Sequence, residues 1–400
     1  MSEKKISDNV IIYDSPSSDS FVGIQNKEGH VFVFLPIGMQ ISNDESITKK
    51  DIRLLLEILY REQRTDSEKS KSQKDKFIIK AFPLNAYLYV IDDFIENGIY
   101  REREFTFKRN GTNGKIDWKR TIKNHKPIIQ DSSFFYLNTT RKLRTNKNKE
   151  LISLIHEYCV YESFSKIGFL YPDIQIDKPE IDFDKETFLN VLRSKIDSTN
   201  NDRNRLLFSS LISIIEQTEN SESEFWFGTY EFEYVWQNMI DKLFGIENKT
   251  QYLPSSTWYV NNSSHKNHTI DPDSIMIING KYYVIDAKYY KFGATNLLKD
   301  LPNTSSIVKQ LAYAEFIETN CASQQSSETI NIFNAFLLPY KSQNPNCPFT
   351  NIGYCESDWK SNNKIYEKVK CILVDIKWLM ENYCLRSDAK LLSLAKCIEQ

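Results

Sequence analysis

Two aspartates and a lysine, Asp273, Asp286 and Lys288, flank a pair of apolar runs that are joined by Asn279-Gly280. An Asn-Gly step between two apolar runs favours a two-residue β-hairpin turn, and such a turn fixes which residues face each other. In the predicted register Asp273 lies directly opposite Asp286. Side chains two residues apart share one face of a strand, so Lys288 projects beside Asp286. The sequence thus predicts two carboxylates and an ammonium at one end of a hairpin.

The opposed carboxylates of Asp273 and Asp286 indicate a metal site. Directly opposed β-carbons lie about 5 Å apart, where two like charges are destabilising. Lys288 can compensate part of that charge, and a divalent cation can compensate the rest. Mg²⁺ suits such a site because it is a hard ion that binds carboxylate oxygens and keeps several waters. Mn²⁺ could take its place.

Phosphodiester hydrolysis is the chemistry that these residues would serve. A bound metal lowers the pKa of a water and offsets the charge that develops on the phosphate oxygens. Lys288 could orient the attacking water or stabilise the developing anion. The alternative interpretation is structural: Asp273 ends a turn, and Asp286 and Lys288 are ordinary polar residues at a strand end.

The two strands that position these residues, Ser274–Ile278 and Lys281–Lys288, are apolar on both faces. Strands of this kind are typical of the centre of a sheet that is covered on both sides. An acidic pair at the end of a central strand is costly unless it has a use. The nearby His265 and His268 are interpreted as surface residues, because no further ligand spacing accompanies them.

Two helices that flank the hairpin could complete the site. The upstream helix carries Glu233 near its start as a candidate third carboxylate, with Glu231 as the alternative. For either acid alone, the favourable helix dipole is an equally good explanation. The downstream helix places Gln310 and Tyr313 together, one turn apart. These two residues could hold a metal-bound water or a scissile phosphate. Alternatively, they could have only a structural role beside the apolar side of the helix.

The other elements follow from the same periodicities. Two apolar runs within Phe21–Met39, around a polar turn at Asn26–Gly29, predict a hairpin. The segment Arg101–Lys149 is locally basic and is either a solvated surface or a patch that faces phosphates. Helices are predicted in Asp51–Gln63, Ala81–Gly98, Glu150–Ser165, Phe183–Gln217, Thr229–Gly245 and Ser305–Thr319.

Composition narrows the class of protein. With 400 residues, 40% of them hydrophobic and 26% charged, the chain exceeds one ordinary domain and is not disordered as a whole. Because the net charge is only -2, the overall charge does not indicate an anionic partner, and only a local cluster of basic residues could do so. No apolar run is long enough for a membrane helix, no secretory signal is visible, and the seven cysteines are scattered without a CxxC pair. We therefore expect a cytoplasmic protein with reduced thiols and no membrane association.

The order of the chemical features resembles the PD-(D/E)xK nuclease fold: a helix with Glu233, a strand with Asp273, a strand with Asp286 and Lys288, and a helix with Gln310. More narrowly, the sequence resembles the LlaJI-type restriction endonucleases and the related McrC nuclease subunits. The matching pieces are Phe232-Glu233, IDPDSIMI, YYVIDAKYYK, KQLAYAE, FVGIQNKEGHVFVFLPIGM and GKIDWKRTI. The resemblance touches most of the chain, most strongly at DAKYYK.

This resemblance implies roles for the site residues. Asp273, Asp286 and Lys288 would be the metal and catalytic residues, with Glu233 as a further metal ligand and Gln310 as a further catalytic residue. Some relatives place the helix glutamate after the tryptophan, where this chain has Gln237.

The resemblance also implies the architecture. The predicted class is mixed α/β, with a PD-(D/E)xK nuclease domain at 225–400, built on a mixed central sheet flanked by helices. A β-rich domain at 1–135 and a helical connector at 136–224 would precede it. The β-rich domain, with its basic stretch, is a candidate for docking a partner and guiding DNA.

A partner is implied as well. The McrC-like subunits work with a separate McrB-like AAA+ motor that hydrolyses GTP, recognises DNA and translocates it. This sequence has no GxxxxGK[ST] motif, so it does not bind nucleotide in that way itself. We predict a Mg²⁺-dependent endonuclease subunit of a restriction system that cuts double-stranded DNA with such a partner. The alternatives are a self-sufficient, sequence-specific restriction endonuclease and a non-catalytic DNA-binding assembly protein.

Overall fold

The computed structural model describes residues 3–7, 10–14, 20–69, 77–79, 82–110, 113–131, 133–146, 150–218, 225–322, 330–344 and 346–400. The chain forms two compact units. The split unit comprises Met1–Phe82 and Ser223–Gln400, and the inserted unit comprises Pro83–Glu222. The sequence suggested a different division, with boundaries after residues 135 and 224, and that three-part division stays a prediction.

The predicted helices are all present, with one change: Phe183–Gln217 contains two helices separated by residues 199–201. Asn201 ends the gap by accepting a hydrogen bond from the Asn204 backbone N–H at 3.1 Å, which caps the second helix. No helix in the described ranges combines the length and apolar character that crossing a membrane requires. The helices are α1 Glu45–Lys69, α2 Leu84–Asn97, α3 Trp118–Asn124, α4 Leu151–Ile167, α5 Lys185–Ser198, α6 Asp202–Thr218, α7 Phe232–Phe244, α8 Phe292–Thr295, α9 Thr304–Ala322, α10 Ile376–Asn382 and α11 Asp388–Glu399.

The strands form several separate sheets. They are β1 Glu3–Ser7, β2 Val10–Asp14, β3 Val22–Lys27, β4 His30–Leu35, β5 Phe77–Ile79, β6 Arg103–Arg109, β7 Lys115–Ile116, β8 Ile128–Gln130, β9 Ser133–Phe135, β10 Thr140–Asn146, β11 Phe225–Thr229, β12 Thr257–Val260, β13 Ser263–Lys266, β14 Ser274–Ile278, β15 Lys281–Ala287, β16 Ile332–Tyr340, β17 Phe349–Cys355 and β18 Val369–Asp375. Together with the helices they confirm the predicted mixed α/β class.

The first sheet of the split unit has the order β1-β2-β4-β3-β11-β5. The predicted N-terminal hairpin is confirmed, because β3 and β4 pair antiparallel from Gly23 opposite Phe34 to Lys27 opposite His30. The turn residues Glu28 and Gly29 both have positive φ angles, 52° and 79°. Such a turn matches the right-handed twist of the two strands.

The second sheet of the split unit is the mixed sheet that the sequence predicted for the C-terminal part. Its order is β14-β15-β16-β18-β17, with parallel pairs at its centre and an antiparallel pair at each end. On one face, Ile275 and Val284 belong to a buried cluster with Ile307 and Leu311 of α9. On the other face, the Tyr283 hydroxyl donates a hydrogen bond to Glu399 of α11.

One expectation about this sheet was wrong: β14 lies at its edge among the described strands and not at its centre. Its side chains are nevertheless buried, and Ile275 and Met276 are fully covered. The reason is that helices α7 and α11 pack against β14 from outside the sheet. The apolar residues on both faces of β14 therefore reflect its burial by helices and not the presence of a neighbouring strand on each side.

The inserted unit combines helices with small β elements. Helices α2, α4, α5 and α6 pack on one another, and β6, β10 and β7 form a three-stranded sheet. The locally basic segment predicted from the sequence supplies this sheet, helix α3 and the β8–β9 hairpin. The β8–β9 hairpin and its surroundings expose large apolar side chains: Ile128, Ile129, Phe134, Phe135 and Leu137.

Candidate active site

The hairpin that carries the acidic pair has the register predicted from the sequence. Strands β14 and β15 pair antiparallel from Ile278 opposite Lys281 to Ser274 opposite Ile285. The turn residues Asn279 and Gly280 have φ angles of 51° and 72°, which suits a tight hairpin turn. One step beyond the last pair, Asp273 meets the end of β15.

Asp273, Asp286 and Lys288 come together at this end of the hairpin. The Asp273 Oδ2 atom accepts a hydrogen bond from the Ala287 backbone N–H at 2.7 Å, and the two aspartate carboxyls share a hydrogen bond. The Lys288 ammonium lies 2.7 Å from Asp286 Oδ2. Asp286 is 8% exposed. The parallel neighbour strand fixes the lysine backbone, since the Lys288 N–H donates to the Leu337 carbonyl at 2.9 Å.

The electrostatics of the pair follow from burial and like charge. Burial, followed by the hydrogen bond and the negative charge of Asp286, raises the pKa of Asp273 to about 8. The Ala287 N–H and the charge of Lys288 oppose that shift without cancelling it. For Lys288, burial works to lower the pKa, but the adjacent Asp286 outweighs it, so the pKa is raised. Near neutral pH the pair therefore retains a proton and the lysine stays charged.

Aromatic packing holds the helix and the strand ends in place around the pair. The Trp236 indole of α7 donates a hydrogen bond to the Leu337 carbonyl of β16 at 3.3 Å. Phe232, one turn earlier, contacts the Tyr289 ring at a centroid distance of 5.2 Å. The Tyr289 hydroxyl in turn accepts a hydrogen bond from the Ile37 N–H at 2.7 Å. These contacts fix the chain directly after Lys288.

Glu233 lies at the exposed start of α7. The helix turns Phe232 and Trp236 towards the sheet, so the acid between them projects away from it. Glu231 is partly buried before the helix, and its N–H donates to Thr229 Oγ1 at 2.9 Å. Within the described residues no group of three His, Cys, Asp or Glu side chains is arranged to hold a metal ion. The structure does not bring a third carboxylate to the pair, and the role of Glu233 stays a prediction.

Gln310 and Tyr313 lie on α9 against the sheet. Gln310 is fully buried, and its Nε2 atom donates to the Ala335 carbonyl of β16 at 3.2 Å. The Tyr313 hydroxyl donates to the Asp271 carbonyl at 3.2 Å, which holds the segment that leads into Asp273. Burial, followed by the charges of Asp286 and Asp273, raises the pKa of Tyr313 to about 12. In this structure both side chains brace the backbone beside the acidic pair.

Lys249 is a positioning residue that the sequence did not reveal. Its ammonium donates to the Pro272 and Asp273 carbonyls at 3.0 Å each and lies 3.3 Å from Asp271. These contacts fix the backbone of the first aspartate. No motif in the sequence marks this lysine. Its partners lie 23 and 24 residues further along the chain, and residue spacing does not predict contacts over that distance.

The donor set at the hairpin end fits a divalent cation. Two carboxylates provide hard oxygen ligands, and a single lysine leaves them with excess negative charge. The raised pKa of Asp273 shows that the buried pair takes up a positive charge when only Lys288 is present. A divalent ion could replace that proton at Asp273 and Asp286. The predicted surface positions of His265 and His268 are confirmed, since both are exposed.

Comparison with a solved complex gives only a weak likeness. A refined half-complex from the tetradecameric assembly of Thermococcus gammatolerans McrB AAA+ hexamers with bound McrC covers 94% of this chain and 82% of that chain. The sequence identity is 12% and the TM-score is 0.37, a value too low to establish a common fold.

Sequence comparisons identify the family. The "Type II restriction enzyme BsuMI component YdjA" of Bacillus subtilis (strain 168) is 24% identical over 382 residues, which cover 87% of this chain and 78% of the relative. A sequence model of the LlaJI restriction endonucleases matches residues 21–358, which include Asp273, Asp286 and Lys288. This protein therefore belongs to the LlaJI restriction endonuclease family.

Proposed function

We propose that this protein is a Mg²⁺-dependent endodeoxyribonuclease subunit of a restriction system and that it hydrolyses phosphodiester bonds of double-stranded DNA. The observation that carries the proposal is the buried Asp273–Asp286 pair with Lys288 beside it, in a chain of a restriction endonuclease family. A pair of adjacent carboxylates suits a Mg²⁺ ion, and a bound Mg²⁺ ion can assist the hydrolysis of a phosphodiester.

Each residue of the pair has a defined task in this proposal. Asp273 and Asp286 would hold the cation, and the Ala287 N–H fixes the orientation of the Asp273 carboxylate. A divalent cation at this position activates a water and offsets negative charge on the phosphate. Lys288, held 2.7 Å from Asp286, keeps its proton and presents it to the attacking water or to the phosphate oxygens.

The two other predicted residues enter the proposal with different roles. Glu233 is proposed as a further ligand that approaches from the exposed start of α7, because a flexible glutamate can change rotamer without a change of fold. Gln310 is proposed to act through β16, whose backbone it holds at Ala335. It is thus a positioning residue and not a ligand.

We also propose that the subunit works with a separate AAA+ subunit that hydrolyses GTP. The sequence has no GxxxxGK[ST] motif, and the relative from Bacillus subtilis is named as a component of a restriction enzyme. The exposed apolar side chains around the β8–β9 hairpin support docking of a protein partner on the inserted unit. The basic residues near this hairpin would guide DNA.

Cleavage of double-stranded plasmid DNA tests this function. The wild-type protein and Asp286→Asn are each assayed with Mg²⁺, with EDTA, and with or without the AAA+ subunit and GTP. We expect Mg²⁺-dependent cleavage by the wild type with its partner, and none by Asp286→Asn. Cleavage by the wild type without the partner would support the self-sufficient endonuclease. Equal cleavage by Asp286→Asn would end the assignment of the site.

A further inference from the structure

The β12–β13 hairpin lies in the part of the chain that leads to Asp273, and it is exposed along its whole length. Every residue of both strands is exposed, and Trp258 and Tyr259 are 64% and 81% exposed. The turn is tight, because Asn261 and Asn262 both have positive φ angles, 48° and 63°. With Val260, which is 53% exposed, Trp258 and Tyr259 form a run of three exposed apolar side chains, and contiguous exposed apolar surface is typical of a contact site.

The two faces of the ribbon combine aromatic and basic side chains. Trp258 pairs with His265, so these side chains share one face, and Tyr259 pairs with Ser264 on the other. Thr257 pairs with Lys266, which places the lysine on the same face as Tyr259. One face thus presents Trp258 and His265, and the other presents Tyr259 and Lys266.

The charge of this segment favours an anionic partner. Residues 251–270 contain no Asp or Glu, although the whole chain has 53 acids in 400 residues. The same segment contains Lys266, His265 and His268. A segment without acids does not repel phosphates, and its lysine can contact them.

Hydrogen bonds hold both the base of the ribbon and the short segment that leads from it to Asp273. The Asn267 N–H donates to the Ser256 carbonyl at 2.8 Å, and the Ile270 N–H donates to the Pro254 carbonyl at 3.0 Å. The following residues are held by Tyr313 and Lys249, through the carbonyls of Asp271, Pro272 and Asp273. A short, hydrogen-bonded segment therefore joins the ribbon to Asp273.

We propose that the β12–β13 hairpin is a DNA-contacting ribbon that enters a groove of the duplex next to the scissile phosphate. This inference rests on the proposed nuclease function. A two-stranded ribbon fits the major groove of B-DNA, which is about 12 Å wide. Trp258 and Tyr259 contact bases and sugars, and Lys266 contacts a phosphate.

A protein partner fits this ribbon less well. Seven of the ten residues in Thr257–Lys266 are polar, and the apolar surface is confined to Trp258, Tyr259 and Val260. A stable protein interface buries about 800 Å² on each partner and is apolar at its centre. DNA contacts, in contrast, are polar and positively charged.

The affinity of the full chain for a fluorescent duplex, measured by anisotropy at low ionic strength, tests the proposal. The parent is Asp286→Asn, so that the DNA stays intact. Adding Trp258→Ala and Tyr259→Ala should weaken binding about tenfold or more. The matched control adds Trp359→Ala, an aromatic residue that is 52% exposed and lies far along the chain from the ribbon, and it should leave the affinity unchanged. Adding Lys266→Ala should lower the slope of log affinity against log salt by about 1.

The outcomes separate this proposal from the proposed function. Equal affinity of the aromatic variant and the parent, or no DNA binding by the parent at low salt, would overturn the ribbon proposal. A second result would also overturn it: the Trp258→Ala, Tyr259→Ala protein with Asp286 intact keeps its DNA affinity but loses partner-dependent cleavage. That result would assign the ribbon to a protein partner. Mg²⁺-dependent cleavage by the wild type would leave the nuclease function standing in each case. Unchanged melting temperatures of the variants establish that they are folded.

Discussion

Buried aspartates are compensated differently in the two units. In the inserted unit, Asp93 is 5% exposed and accepts hydrogen bonds from Arg203 Nε at 2.7 Å and Nη2 at 2.9 Å. In the split unit, Asp273 and Asp286 share the single ammonium of Lys288. One carboxylate bound by one guanidinium is electrically balanced. Two carboxylates beside one lysine are balanced only while one of them keeps a proton.

The difference separates a structural acid from a candidate metal ligand. Asp93 belongs to α2 and Arg203 to α6, so their ion pair links two helices of the inserted unit. Asp273 directly precedes β14 and Asp286 lies on β15, two strands that backbone hydrogen bonds already join. In the absence of a metal the pair depends on one proton and on Lys288 for its charge balance, and a divalent cation could take the place of that proton.

The largest expected effect is on cleavage. Asp286→Asn should lower the rate of DNA cleavage by at least about 10³-fold, because it removes a proposed metal ligand and the partner of Lys288. Asp93→Asn is the matched control, and its rate per folded molecule should stay within about threefold of the wild type. Plasmid cleavage under single-turnover conditions measures both rates. A similar loss in the two variants would remove the distinction between the two sites.

The second effect is on stability, and here the substitution of Asp93 should cost more than the substitution of Asp273. Asp93→Ala should lower the free energy of unfolding by about 2–3 kcal/mol, less than the 3–5 kcal/mol of a fully buried pair because Arg203 keeps access to water. Asp273→Asn at neutral pH should be close to neutral, because it replaces a carboxyl that carries a proton with an amide. Urea unfolding of both variants measures the two values. A larger loss for Asp273→Asn than for Asp93→Ala would contradict the comparison.

The third effect is a pH dependence of the metal-free protein. The pKa of Asp273 is raised from 3.8 in the unfolded chain to about 8 in the fold. The folded state therefore binds the extra proton, so this contribution to stability is fully present below pH 3.8 and is lost as the pH rises through about 8. In EDTA, the melting temperature of the wild type should fall over this range relative to that of Asp273→Asn. Mg²⁺ should reverse the fall, because it raises the free energy of unfolding by about 1.4 kcal/mol for each tenfold excess of its concentration over its dissociation constant.

The smallest effect concerns the third carboxylate. Glu233→Gln should lower the cleavage rate about 10- to 100-fold, because it removes the proposed third carboxylate ligand. Glu231→Gln should change the cleavage rate little. Cleavage rates as a function of Mg²⁺ concentration distinguish a weaker metal site from a slower reaction. Loss of activity in Glu231→Gln alone would transfer the role to the residue before the helix.

Local signals explain what the sequence predicted about the fold and the site. The Asn279-Gly280 turn fixes the register of β14 and β15, and with it the meeting of Asp273 and Asp286. Hydrophobic periodicity likewise predicted a helix within Thr229–Gly245, where the structure has α7. Such features depend on neighbours within a few residues, which spacing describes well.

Features that depend on the path of the chain were not predictable. The burial of β14 at the edge of its sheet depends on helices α7 and α11, which come from different parts of the sequence. The bonds of Lys249 to the Pro272 and Asp273 carbonyls and the exposure of Glu233 depend on how a turn and a helix are placed against the sheet. Side-chain types and spacing alone do not encode these placements.

Calorimetric titration with Mn²⁺ at pH 7, in two buffers of different ionisation enthalpy, tests the central claim most directly. The account predicts one site in the wild type, with release of about one proton per ion because the cation replaces the proton held by the acidic pair. It predicts no binding at that site in Asp286→Asn. Equal binding by both proteins, or binding by the wild type without proton release, would contradict it.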